Sequence, residues 1–230
     1  MEGFRLIRRP GLRRFVLVPL LVNILLFGGL LWAAVGWVQA ASRYLMGYLP
    51  DWLDWLSILL WPLFVTLALL LVFYTFSTVA NFIASPFNGL LAEAVEKQLR
   101  GEVLETGWMD VVRDIVPSLM SELRKLVYFL LRAVPLGILF LIPGPNIAAP
   151  FLWLLFSAWM LTIQYIDYPM ANHRLFFNEQ RRRLRMRPLL ALGFGATALL
   201  FTLVPVINFL VMPVAVAGAT ALWAKEKRLQ

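Results

Sequence analysis

The sequence predicts an all-α integral membrane protein: two long transmembrane helices, two helical hairpins that are partly membrane-penetrating, and amphipathic cytoplasmic helices. Two observations carry this reading. No acidic or basic side chain occurs at residues 15–42, 55–92, 133–166 or 188–224, and these charge-free blocks are 28 to 38 residues long. A soluble helix has a wet face and scatters charges along it, whereas one span needs about 20 apolar residues to cross a hydrocarbon core of ~30 Å. Composition agrees: 61% of residues are hydrophobic, 15% are charged, and nine Trp and six Tyr suit the interfacial belts on either side of a bilayer.

The elements follow in order within a single membrane domain, residues 1–230. Residues 1–14 form a cytoplasmic N-terminus with five Arg: Arg5, Arg8, Arg9, Arg13 and Arg14. The first transmembrane helix is expected over 15–40. It has the look of a signal peptide, but Phe15 to Val38 gives 24 apolar or small residues, well beyond the usual ~7–15-residue apolar region. The second is expected over 56–86, with Trp52, Trp55 and Trp61 marking its far side.

Residues 87–125 read as two amphipathic helices. Phe87, Leu91, Val95 and Leu99 share one face, opposite Glu93, Glu96, Lys97 and Arg100; Trp108, Val112, Val116 and Met120 repeat the pattern with Asp110, Asp114 and Glu122 outside. They are expected to lie at the membrane interface or on a partner subunit. Residues 126–166 and 188–224 are each expected to be hairpins, broken at Pro143-Gly144-Pro145-Asn146 and at Pro205-Val206-Ile207-Asn208. Residues 167–187 form a basic cytoplasmic segment and 225–230 a cytoplasmic tail. Full crossing of the first hairpin would draw Arg132, ten residues before Ile142, about 15 Å into the bilayer, at a cost of roughly 2.5–3.5 kcal/mol. The other arms are long enough to span, so both depths stay open.

Because a hairpin returns to its own side, 20 of 21 Lys and Arg fall on one face at either depth, leaving Arg43 with Asp51 and Asp54 opposite. The positive-inside rule makes the basic face, and both termini, cytoplasmic. The net charge of +8 is thereby read as topology and contact with anionic lipid in the bilayer rather than as a nucleic-acid surface.

Catalysis is poorly supplied, and no enzyme is expected. Cys is absent, His173 is the only His, and there is neither a phosphate loop nor a nucleophile elbow. No cofactor or metal is expected, and His173 reads as a solvated side chain. Asp167 and Glu179 are expected to pair with nearby Arg residues.

One stretch has the parts of an anion site. In Arg9-Pro10-Gly11-Leu12-Arg13-Arg14-Phe15, a turn is followed at once by a helix whose first N–H groups lack internal acceptors, beside two guanidinium groups. Arg residues before a span also serve simply to fix orientation. A second recurring feature pairs Asn with a later Pro: Asn81 with Pro86, Asn146 with Pro150, Asn208 with Pro213. Such pairs read either as caps that satisfy backbone freed by Pro or as broken helices lining a transport path; Asn23 joins them as an uncharged amide in the first span.

Three stretches, Gly11-Leu12-Arg13-Arg14-Phe15 through Val18-Pro19-Leu20-Leu21-Val22-Asn23, Asn81 through Ser85-Pro86-Phe87-Asn88-Gly89-Leu90-Leu91, and Tyr165 to Asn172, resemble the CysZ family of bacterial sulfate permeases. The resemblance implies sulfate import across the inner membrane for cysteine biosynthesis, two long spanning helices with two partial hairpins, and a sulfate site at Gly11, Leu12, Arg13 and Arg14. Sulfate, a dianion with no proton to donate at pH 7, needs donors only. About four charge-assisted hydrogen bonds at roughly 1.5–3 kcal/mol each account for micromolar binding near −8 kcal/mol. There is no nucleotide-binding motif and no membrane-embedded carboxylate, so a channel-like or facilitated route is favoured. Gly28, Gly29, Ala33, Ala34 and Gly36 permit close helix approach, and a homo-oligomer is expected, since a monomer of two spans and two hairpins encloses little hydrophilic path. The competing readings are a non-transporting membrane scaffold or assembly factor and, less well supplied, a lipid-modifying enzyme.

Overall fold

The computed structural model describes residues 2–47, 55, 57–101 and 108–226, with side chains described throughout these except at 45–46, 57, 77–78, 80–85, 108–112, 115 and 205–209. Trp52, Asp51 and Asp54 lie outside the described residues, as do the side chains of Trp108, Asp110 and Val112. The described residues form helices α1 (Glu2–Ile7), α2 (Arg14–Met46), α3 (Ser57–Arg100), α4 (Trp108–Leu139), α5 (Ala149–Asn172), α6 (Phe177–Arg185), α7 (Pro188–Thr202) and α8 (Pro205–Lys225), with a 3₁₀ turn at Pro145–Ile147. They contain no strand, and the all-α membrane class is what the structure shows. The chain divides into two compact units, residues 14–87 and residues 1–13 with 88–230.

In the first unit, Arg14–Tyr44 and Ile58–Phe76 are long and apolar enough to cross a membrane. The 19 residues of the second extend about 28 Å, close to the hydrocarbon thickness. The Phe27 and Phe76 rings meet at 4.8 Å, and Ala34 and Val72 are buried. Most of the other apolar side chains, Leu21, Leu25, Trp32 and Phe73 among them, are exposed, as helices solvated by lipid require. Proline does not interrupt these helices. α2 runs through Pro19 and α3 through Pro62 and Pro86, and the Thr66 hydroxyl donates to the Pro62 carbonyl at 2.7 Å. The Asn81–Pro86 pair therefore sits in continuous helix, which corrects the broken-helix expectation there.

The second unit is built around α5, which packs on α7 and α8, with α1 lying against α8. Closeness comes from small residues. A Cβ placed on Gly195 would overlap the Ala158 carbonyl and the Thr162 hydroxyl, and that hydroxyl already donates to Ala191 O at 2.6 Å. α4 and α5 form the first hairpin. Its turn holds Gly144 at φ 94°, a left-handed conformation open to glycine at little cost, and the Asn146 N–H donates to Ile142 O at 3.1 Å. Phe140, Trp153, Phe156 and Phe129 are in ring contact in that order along the two arms, edge-on at the first two contacts and stacked at the third.

α5 closes with Arg174 at φ 58°, the Arg174 N–H on Ala171 O at 2.8 Å and the Leu175 N–H on Met170 O at 2.9 Å, a Schellman end. α6 and α7 bend by 109°. The second hairpin turns at Leu203–Val204, and Pro205 occupies the opening turn of α8, where its missing N–H costs nothing. The turn therefore precedes the expected Pro205–Asn208 break, and α8 continues through Asn208 and Pro213.

One expectation about the amphipathic helices is corrected. Leu91 and Val95 are buried as expected, but Glu96 on the supposedly wet side is 2% exposed because it meets His173 and Arg100. In α4, Asp114 pairs with Arg174 at 2.9 Å, while Val116, Leu119, Met120 and Leu123 are exposed. An apolar face left uncovered by the chain itself is what a helix meant for a membrane interface or a partner subunit presents.

The α5–α7 contact yields a stability prediction. Gly195→Ala should destabilise the protein by about 1–3 kcal/mol through overpacking. Gly193→Ala, where an added Cβ meets nothing within 4 Å, should leave the detergent-solubilised melting temperature unchanged or raised.

Candidate functional site

The N-terminal turn is held from beneath by apolar burial and from the side by one long-range hydrogen bond. Leu6 and Leu12 are 1% and 0% exposed, so both ends of the turn are anchored. Between them the Arg9 N–H donates to Leu6 O at 2.9 Å and the Leu12 N–H to Arg9 O at 3.2 Å. Gly11 has φ 88°, and the Gln98 amide on α3 donates to Pro10 O at 3.3 Å. Arg8, Arg9, Pro10, Gly11 and Arg13 are exposed. The result is a fixed backbone turn with several guanidinium groups at its surface.

The residues singled out from sequence take different parts in this arrangement. Leu12 is the anchor: its side chain is buried and its N–H is engaged. Arg13 donates through Nε to Arg8 O at 2.6 Å, which orients the guanidinium and leaves its two terminal nitrogens uncommitted among the described residues. Arg14 belongs to the other unit, opening α2, where its guanidinium carbon lies 4.8 Å from the Phe15 ring centroid. No acidic residue occupies the first turn of α2. Arg13 and Arg14 are covalent neighbours, so their Cα atoms are about 3.8 Å apart. Gln98 was not legible from sequence, being 88 residues from its partner in a helix whose polar face looks merely solvated.

The four Asn residues are less uniform. Asn23 on α2 is half-buried, and its side-chain oxygen has no partner among the described residues. Asn146 is exposed at the tip of the first hairpin. The side chains of Asn81 and Asn208 lie outside the description. Asn23 and Asn81 belong to one compact unit and Asn146 and Asn208 to the other.

Behind the turn lies a buried ionic cluster. The Glu96 carboxylate accepts from His173 Nε2 at 2.8 and 2.9 Å and from Arg100 Nη1 at 3.1 Å. The His173 ring lies 5.5 Å from that of Trp223 on α8, so this cluster ties the end of α3 to α5 and α8. Burial by itself raises the Glu96 pKa, but the hydrogen bond and charge of His173, then Arg100, outweigh it and hold the carboxyl below its usual 4.5. His173 is therefore a structural partner rather than the solvated side chain expected from sequence. Farther along, Lys125 bridges Glu122 at 2.6 Å and Asp167 at 3.0 Å. Desolvation opposes the Lys125 charge, yet the two carboxylates win and raise its pKa. Glu179 pairs with Arg182 and Arg183 as expected, whereas Asp167 takes Lys125 and Gln180 rather than an Arg. No group of three or more His, Cys, Asp or Glu suited to a metal occurs among the described residues.

A family model described as sulfate transporter CysZ/etoposide-induced protein 2.4 matches residues 1–213, nearly the whole chain and all three motif stretches that carry the resemblance.

The Glu96 cluster sets a pH dependence. A carboxyl with a depressed folded pKa contributes stability that is complete above the unfolded value and lost as pH falls through the folded one. Glu96→Gln should cost roughly 1–3 kcal/mol at neutral pH by weakening a buried charge-assisted pair. Thermal melts across pH should show the parent losing that advantage below 4.5, with the two curves converging in acid. Parallel curves throughout would mean the cluster contributes no pH-dependent stability.

Proposed function

The chain belongs to the sulfate transporter CysZ/etoposide-induced protein 2.4 family, and we propose that it is a sulfate permease mediating sulfate uptake across the bacterial inner membrane to supply cysteine biosynthesis. The observation that carries this reading is the N-terminal turn, pinned by Leu12 and Gln98, which presents Arg13 already oriented by Arg8 O immediately before a helix start without acid. Sulfate would be held by the terminal nitrogens of Arg13, by Arg14 and by the first free amides of α2, with Gly11 giving the turn its shape. These are fixed donors around a dianion that can only accept.

The length of α7 supports a partial second hairpin: it has 15 residues, about 22 Å of helix, short of a ~30 Å core, whereas α5 is long and apolar enough to cross. Placing both hairpins on the cytoplasmic side keeps the termini and the basic segments together, as the positive-inside bias favours. The exposed positions of Gly28, Gly29 and Gly36, where an added Cβ meets nothing within 4 Å, support a homo-oligomer that closes around a path. In that path Asn23, Asn81, Asn146 and Asn208 offer uncharged amides that pass an anion without trapping it.

Sulfate flux into liposomes holding only the purified protein tests the reading. Flux should appear in the parent and vanish in Arg13→Ala/Arg14→Ala; absence of flux from folded, correctly inserted parent would favour a scaffold. Arg13→Lys/Arg14→Lys should insert normally but bind sulfate more weakly, since an ammonium has no planar fork and Lys lacks the Nε that holds Arg8 O. Gly11→Ala, forced to keep a left-handed φ, should lose about 1–2 kcal/mol and with it sulfate affinity. For topology, single Cys residues at 146 or 208 should resist an impermeant thiol reagent applied from outside intact cells; labelling there would establish fully crossing hairpins.

A further inference from the structure

We propose that α4 and α6 form a site for the phosphate headgroup of an anionic diacyl lipid, separate from the N-terminal turn. A cavity of about 500 Å³ lies between them, with Arg124, Arg132 and Arg181 among its lining residues. Its floor is Tyr128, 7% exposed. That ring is fixed on two sides: the Trp159 indole N–H donates to its hydroxyl at 3.0 Å, and the Phe177 ring meets it edge-on at 5.3 Å. Arg132 stacks with its guanidinium carbon 3.7 Å from the Tyr128 centroid, and Arg181 lies 5.3 Å from the same centroid. Stacking holds each guanidinium in a plane; Arg132 Nη1 also donates to Tyr128 O at 3.5 Å, and its other in-plane N–H groups remain available to an anion.

Among the described residues the three charges are not neutralised by protein. The neighbouring carboxylates are engaged elsewhere: Glu122 and Asp167 with Lys125, Glu179 with Arg182 and Arg183. Among the described residues, none of Arg124, Arg132 and Arg181 has a carboxylate partner. Three guanidinium groups around one cavity call for an anion with several acceptor oxygens, and phosphate fits that chemistry. The lipid source follows from what adjoins the cavity. Leu123, Val127 and Leu131, which line it, continue into Val134 as a stripe along α4, and these four are 54%, 48%, 67% and 55% exposed. A soluble anion has no use for that stripe, whereas acyl chains would cover it. Arg132 is also the last charge before the charge-free block 133–166, the place where headgroup level meets hydrocarbon. This inference rests on the membrane setting alone and is independent of the sulfate reading.

The test is native mass spectrometry of the full chain in detergent, with dioleoylphosphatidylglycerol and dioleoylphosphatidylcholine added at equal concentration. The anionic lipid should be retained in clear excess over the zwitterionic one. Arg124→Gln/Arg181→Gln should lower that retention at least about tenfold, as removal of two charge-assisted contacts implies, without changing phosphatidylcholine retention. Should the double variant fail to fold, Arg124→Gln alone, at an exposed side chain, should still reduce the excess. Equal retention of both lipids by the parent, or an unchanged excess in the folded variants, would overturn the proposal. So would displacement of the anionic lipid by inorganic phosphate at comparable concentration, which would assign the site to a soluble anion. A dimer that is lost in the same variants would assign the face to a second copy of the chain, and would overturn it equally.

Discussion

Hydrocarbon offers no hydrogen-bond partner to a backbone amide and no solvation to a charge, and the architecture of this chain is an answer to both facts. Each apolar block satisfies its own backbone within helix, and each charge is kept in the segments between or paired within them. The treatment of proline shows how strict the first demand is. In water, an interior Pro typically ends or kinks a helix because the freed carbonyl can turn to solvent. Here α2, α3 and α8 continue through Pro19, Pro62, Pro86 and Pro213, because a break would release several backbone groups instead of one. Beside Pro62 the Thr66 hydroxyl adds a bond to the Pro62 carbonyl within the same helix.

This explains which turns could be read from the sequence. Pro143-Gly144-Pro145 turns where expected because Gly144 adopts φ 94°, which lets the chain reverse within a few residues. Pro86 and Pro213 have no such glycine beside them, and the helix persists. Pro205 was read as the centre of a turn, but its fixed φ suits the first turn of a helix equally well, so the reversal falls one step earlier. Proline alone signals a boundary of uncertain side; proline with a left-handed glycine signals a reversal.

The class of fold was legible because charge exclusion is a property of the whole chain. The destination of each amphipathic face was not. Periodicity identifies which residues share a face, but a face can be apolar because it meets protein or because it meets lipid. Leu91 and Val95 took the first course, whereas Val116 and Met120 are left exposed by the chain itself. Charged residues carry the mirror-image ambiguity. Glu96 and His173 are 77 residues apart in sequence, and nothing local marks either as the partner of the other. Each looked solvated because its neighbours are polar, and only tertiary packing brings them to 2.8 Å.

The candidate site obeys the same division. Its residue types, paired Arg before a long helix, could be read directly, since they are contiguous and their chemistry is additive. What makes the turn a fixed object could not: Leu12 is an anchor and Gln98 a strut, and both act through contacts with distant elements. The arrangement matters for transport because binding and passage make opposite demands. Capture of a dianion favours fixed guanidinium groups, while release into a pore favours weak, neutral donors that never hold it deeply. In this chain the Arg residues lie between the charge-free blocks and those blocks carry amides in place of charges; under the proposed function the strong contacts would lie where sulfate exchanges with water and the weak ones where it would have to move.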